Sequence, residues 1–423
     1  MYTMLSLQHV STVHYFRVAF LFSFWVFYFA KANDPPNVFD VTHYGADVDR
    51  EDNKAAFLAA WKAACNFDGT SRLLIPNGTF NLGPVEFRGP CKNNIAPSVE
   101  IKGSLQAPLE FDDFPDSSWI KFNGLDNLAV TGGGTLDGQG ARAWSKNKCD
   151  DGQSCDLAPT TLKFEEVSNS TISLLKLVDS KAFHMNFHRC EHINIHDLNI
   201  TAPGDSPNTD GIHVGGTSHI RIRNSVIGTG DDCISIGPGS KDVLVSNVTC
   251  GPGHGISVGS LGKYDNETDV IGLLVENCTV KNTTNGVRIK TWPGSSASLA
   301  QNFTFSNITM INVSNPIIID QEYCPLDGCS KKPSRVQISN VTFENITGTS
   351  TTKIAVNLLC SRDAPCKNVE LADIKLVTCD NSRQCSNTTS SCLNVNGSFS
   401  GAQVPIPCLS NHKVKANSNS VIG

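Results

Sequence analysis

TSHIRIRNSVIGTGDDCISIGPGSKDVLVSNVTCGPGHGISVGS, residues 217–260, holds nearly two copies of one unit. Each copy opens on a short β-rich run (around Ile220, then around Val243), turns at an Asn, and continues into a second short run. Runs of this length, rich in Ile and Val and bounded by turn residues, read as strands. Asn suits the turns because it tolerates a left-handed backbone. The unit recurs as LDNLAVTGGGTLDG from Leu125, SNSTISLLKLV from Ser168, CEHINIHDLNIT from Cys190, VIGLLVENCTV from Val270, QNFTFSNITM from Gln301, SRVQISNVTFENIT from Ser334 and CKNVELADIKLV from Cys366. Anchoring on Ile193, Ile220 and Val243 gives steps of 27 and 23 residues, lengthening to about 30 where loops are inserted. Strands repeating at that period, with no helices between them, predict an all-β parallel β-helix, a solenoid. The rival, a β-propeller, needs about 40 residues and four strands per blade.

The N-terminus carries two further expectations. Arg17 precedes an apolar run from Val18 to Phe29, followed by Ala30-Lys31-Ala32. This is the pattern of a cleaved signal peptide, residues 1–32, and the run is short of the roughly 20 residues of a spanning helix. Residues 33–423 then form one domain, soluble and off the membrane. Asp52–Cys65 is the best helix, with an Asp cap and apolar Phe57, Leu58 and Trp61. It is placed to cap the open end of the solenoid. Sixteen Cys and many Asn-x-Ser/Thr sequons, among them Asn77, Asn169, Asn199, Asn247, Asn266, Asn302 and Asn340, fit the secretory route. Cys149/Cys155 and Cys360/Cys366 are close enough to close small loops. A net charge of −6 excludes the basic stripe of a nucleic-acid binder. An acidic polymer would need a local basic cluster.

Four segments on successive repeats carry candidate chemistry: Asn208-Thr209-Asp210, Gly230-Asp231-Asp232, Gly253-His254-Gly255 and Arg288-Ile289-Lys290. Asp210 to Asp231 is 21 residues and Asp231 to His254 is 23, about one coil each. Residues one coil apart stack at roughly 4.8 Å, so these three are expected to line one face. Neighbouring Asp231 and Asp232 would point to opposite faces of a regular strand. Gly228-Thr229-Gly230 offers the freedom to bring both into one groove. Arg288 and Lys290 share a face by alternation and suit an anionic sugar, with Arg forking its carboxylate. Crowded carboxyls cannot all ionise cheaply, which supplies the protonated acid and ionised base that glycoside hydrolysis needs. His184, His188, His192 and His219 carry no such register and read as ordinary surface or core residues.

The strings SPNTDGIHVG, SVIGTGDDCISIGPGS, CGPGHGISVGSLGKY and GVRIKTW, with weaker GGGTLDGQG, SKAFHMNFHRC, NPIIIDQEYC and AVNLLC, resemble the polygalacturonases of glycoside hydrolase family 28, above all the plant exo-acting ones. The resemblance runs from about Val38 to Cys408. It implies a right-handed parallel β-helix that hydrolyses α-1,4-galacturonosyl links of pectin with inversion and no cofactor or metal. Asp231 is implied as general acid, Asp210 and Asp232 as the residues that hold and activate water, and His254 as a neighbour tuning the acid. Asn208, Arg288, Lys290 and Tyr323 are implied in substrate binding, and Cys233 and Cys250 in a disulfide across adjacent coils. The expected setting is the cell wall, outside the cell, with pectin as the partner, no nucleic acid and a monomeric chain. Endo action, a calcium-dependent pectate lyase and a non-catalytic wall-binding protein are the alternatives. Calcium prefers six to eight oxygens, which an Asp, His, Arg and Lys set serves poorly.

Overall fold

A computed structural model describes residues 37–409, apart from 111–113, 115–116, 147–157, 326–327 and 380–383. The leader and Cys149/Cys155 lie outside these residues. The repeats stack as three parallel ladders. One contains Ser168–Ser173, Glu191–His196, Ser218–Arg223, Lys241–Ser246 and Val270–Glu276. In it Ile193, Ile220 and Val243 are direct partners, as their spacing predicted. The next partners, Leu273 and Phe303, follow at steps of 30. A second ladder of shorter strands includes Lys176–Val178, Asn199–Thr201 and Val226–Gly228. The long strand Ser298–Val313 pairs with both ladders and joins them in one 22-stranded sheet. The third ladder is an 11-stranded sheet, and the candidate residues gather on it.

The interior follows from alternation. On the 11-stranded sheet, Phe122, Phe164, Phe187, Val214, Ile236, Val258, Ile289 and Ile319 pair in one unbroken column. None is more than 1% exposed. Phe122–Phe164 and Phe164–Phe187 stack with centroids 5.3 and 4.6 Å apart. Burying each of these side chains is worth about 1.5–3 kcal/mol. A one-residue slip would turn the whole set to water, so register is strongly held.

The turns explain the Asn content. Asn224, Asn247 and Asn277 occupy one left-handed turn position on successive coils, and Asn302, Asn340 and Asn368 another. Asn247 donates to Asn224 at 2.9 Å, and Asn340 to Asn302 at 3.0 Å. Several sequon Asn are therefore turn residues with side chains joined coil to coil.

The helix spans Lys54–Cys65, two residues later than the sequence suggested at its start. The N-cap is Asn53, not the expected Asp52, and its side chain makes no capping hydrogen bond; Asp52, one residue earlier, accepts from the Lys54 N–H at 2.9 Å. Trp61 packs on Phe87 and Phe122, and Phe57 on Phe80, which seats the helix on the first coils.

Six disulfides join described residues, including Cys360–Cys366 and Cys233–Cys250. Cys190 and Cys278 are buried thiols. Burial pushes each up to about 11, which makes them inert packing groups. Cys233–Cys250 closes a separation of 17 residues beside Asp232. Replacing both with Ala is expected to cost about 3 kcal/mol through loop entropy. A urea midpoint unchanged from the parent would contradict that.

Candidate active site

The site forms where the second ladder hands over to the third. Strands Ile212–Gly215, Ile234–Ile236, Ile256–Leu261 and Asn285–Thr291 lie side by side. Ile212 pairs with Ile234 and Ile234 with Ile256, so each coil here takes 22 residues (212 to 234, 234 to 256). Carried two residues back, this register aligns Asp210 with Asp232 and with His254. The sequence reading had aligned Asp210, Asp231 and His254 instead. The difference is one residue, and it assigns the two members of the acidic pair to different surroundings.

Close backbone approach makes the bend. A Cβ on Gly230 would stand 2.0 Å from the Ser206 carbonyl oxygen, and one on Gly253 2.4 Å from that of Asp231. The Gly230 N–H donates to Thr209 Oγ1 at 3.0 Å, and the His254 N–H to the Asp231 carbonyl at 2.8 Å. The chain therefore runs hard against its neighbouring coils on both sides of the acidic pair. Asp231 and Asp232 consequently reach one site, with acceptor oxygens within 4.8 Å of each other and of a His254 ring nitrogen.

Asp232 is the buried anchor, 1% exposed. Its Oδ1 accepts from Arg288 at 2.8 Å and from Ser257 Oγ at 2.7 Å. Its Oδ2 accepts from Lys290 Nζ at 2.8 Å. Burial opposes its charge, but Lys290 and Arg288 outweigh burial and hold the carboxyl at about 2. Asp210, also buried, accepts from Ser235 Oγ at 2.6 Å. Burial, then the charges of Asp231 and Asp232, raise it well above the usual carboxylate range. Asp231 is more open. Its Oδ1 accepts from His254 Nδ1 at 2.9 Å and from the Asp232 N–H at 2.7 Å. Arg288 and Lys290 lie 5.8 and 5.2 Å from the Tyr323 ring centroid, and Tyr323 meets Trp292 edge-on at 5.7 Å. Asn208 sits in a left-handed turn two residues before Asp210, half-buried.

All eight residues singled out from sequence therefore belong to this end of the sheet: seven carry side-chain contacts or follow from register, and Asn208 lies beside them. Three residues were missed. His213, Ser235, Ser257 and the known Arg288 form one rung across four strands. The signal was present: each missed residue stands three positions after Asp210, Asp232 or His254. Asp231, Asp232 and His254 also have the separation of metal ligands. Asp232, however, already carries two cations and a hydroxyl, and those cations would repel a divalent ion. Crowded carboxyls, one deep and held ionised, one deep and raised above the usual carboxylate range, one open beside an imidazole, with cations and a tyrosine next to them, make an acid–base site of the glycoside hydrolase class.

The chain belongs to glycosyl hydrolases family 28, whose family pattern matches residues 65–394. It is 47% identical over 370 residues to an exopolygalacturonase of Platanus acerifolia, covering 87% of this chain and 97% of that one. It is 44% identical over 383 residues to an exopolygalacturonase of Zea mays, covering 90% and 92%. Among solved structures, the endo-xylogalacturonan hydrolase of Aspergillus tubingensis superposes with a TM-score of 0.72 at 24% identity, covering 86% of this chain and 100% of that one. The Thermotoga maritima exopolygalacturonase gives 0.71 at 19% identity, covering 88% and 93%. These two confirm the parallel β-helix.

Proposed function

We propose that this enzyme hydrolyses the α-1,4-galacturonosyl links of polygalacturonate from a chain end, releasing galacturonic acid with inversion. One observation carries the reading: Asp232 is buried under Arg288 and Lys290 beside the open Asp231–His254 pair. The cations match the uronate carboxylate, which is charged in the mildly acidic range. The more open carboxyl, that of Asp231, matches an acid that must touch the leaving oxygen. End-directed attack is supported by the similarity to plant exopolygalacturonases over nearly the whole chain.

In this reading Asp231 protonates the leaving oxygen, with His254 holding its Oδ1. Asp232 and Asp210 hold and activate the water. A uronate entering the site competes with Asp232 for Arg288 and Lys290, so the basicity of Asp232 rises once substrate is bound. Asn208 and Tyr323 border the sugar. In this reading the water is held on the side of the pair that faces Asp210. A covalent route through Asp232 is disfavoured because Arg288, Lys290 and Ser257 already engage its two oxygens.

Purified protein on de-esterified polygalacturonate should release galacturonic acid alone from the first minutes, with the β-anomer appearing first by proton NMR. A ladder of oligomers would refute end-directed attack, and an α-anomer would refute inversion. Unsaturated, UV-absorbing products would refute hydrolysis.

The same reading places the enzyme outside the cell, in a pectin-bearing wall, as a monomer with residues 1–32 removed. Six disulfides support an oxidising route. Among the described residues no helix is long and apolar enough to cross a membrane. N-terminal sequencing of protein recovered from culture medium should begin near Asn33.

A further inference from the structure

Two successive coils repeat one device. Ser257 Oγ donates to Asp232 at 2.7 Å, and Arg288 Nε donates to Ser257 at 3.0 Å. One coil earlier, Ser235 Oγ donates to Asp210 at 2.6 Å, and His213 Nδ1 lies 2.8 Å from Ser235. In both, the serine follows its aspartate by 25 residues, one coil plus three. Both serines are buried. The devices differ in the third member: in one a guanidinium from the following strand, which also donates to Asp232, and in the other an imidazole from the preceding strand.

We infer that Ser235 and His213 are positioning residues that aim Asp210 and keep its carboxyl able to ionise within the enzyme's working range. The inference rests on the proposed role of Asp210 in holding water. A serine hydroxyl has one hydrogen. With His213 Nδ1–H donating to Oγ, that hydrogen is committed to Asp210, which favours the carboxylate. Phe183 stacks on the imidazole with centroids 4.8 Å apart and holds the ring in place. Burial and then Lys290 depress His213 to about 4. It therefore supplies a neutral donor where Arg288 supplies a full charge. Hence Asp232 stays ionised throughout while Asp210 remains titratable. The groups acting on this pair from neighbouring strands are Asp231, Asp232 and Lys290 at Asp210, and Lys290, Asp232 and His188 at His213.

The test is the pH profile of kcat for four variants, each checked for folding by circular dichroism. Ser235→Ala should lower kcat roughly tenfold at the acid end with KM within twofold, and move the acid limb to higher pH. Ser235→Thr, which keeps the hydroxyl, should restore both. His213→Phe keeps a ring against Phe183 but has no donor, and should shift the limb in the same direction. His213→Asn places an amide N–H near the Nδ1 position and should return it. Losses with an unmoved pH limb, or His213→Asn behaving like His213→Phe, would overturn the inference. Asp210→Asn separates the two levels: an active Asp210→Asn removes the reading of the site itself, whereas an inactive one with an unaffected Ser235→Ala removes only the clamp.

Discussion

Asp231→Asn keeps its fold and its affinity for oligogalacturonate and loses about 10²–10⁴-fold in kcat, the usual worth of a positioned acid. The substitution is close to isosteric. An Asn Oδ1 still accepts from His254 Nδ1 and from the Asp232 N–H, the two bonds that fix the side chain. Arg288 and Lys290, which would bind the sugar acid, are untouched. Only the transferable proton is lost. An interaction needed in the transition state alone lowers kcat and leaves KM in place. Measuring kcat and KM on trigalacturonate, with binding followed by calorimetry, separates the cases. A variant with half the parent's kcat would show that another group protonates the leaving oxygen. A variant that no longer bound substrate would make Asp231 a binding residue.

The solenoid was legible because its period is written in side chains that must point inward. Ile193, Ile220 and Val243 are spaced by the chain's own winding and meet in the structure. The site was nearly as legible, since Asp210, Asp232 and His254 belong to coils of equal length. What sequence could not give was the phase within a coil. Steps of 21, 22 or 23 all fit an insertion-tolerant turn, and only the pairing of Ile212, Ile234 and Ile256 chooses 22. That choice decides which aspartate is enclosed by cations. The serines were hidden for a different reason: a Ser in a strand is ordinary, and its meaning lies in what it bonds across coils.

The two buried aspartates should respond oppositely when neutralised, though both variants lose activity. Asp232→Asn leaves Arg288 and Lys290, 9% and 7% exposed, without their counter-charge. Breaking a buried ion pair from one side costs about 3–5 kcal/mol. Added galacturonate should restore more stability to this variant than to the parent, because its carboxylate can meet the stranded cations. Asp210→Asn instead removes a group whose ionisation the fold resists, and should raise the melting temperature at neutral pH by a few degrees. The signs follow from linkage. Asp232 is lowered from 3.8 to about 2, so its stabilisation is complete above 3.8 and is lost as pH falls through about 2. Asp210 is raised above 3.8, so its contribution is complete below 3.8 and is lost as pH rises through its folded value. The advantage of Asp210→Asn should therefore vanish in acid, near pH 3, while the deficit of Asp232→Asn persists until lower pH. Melting curves of the parent and both variants from pH 3 to 7 test this. Two destabilised variants, or a gain for Asp210→Asn that does not depend on pH, would mean that the charges of this site are not divided between its carboxyls as the structure places them.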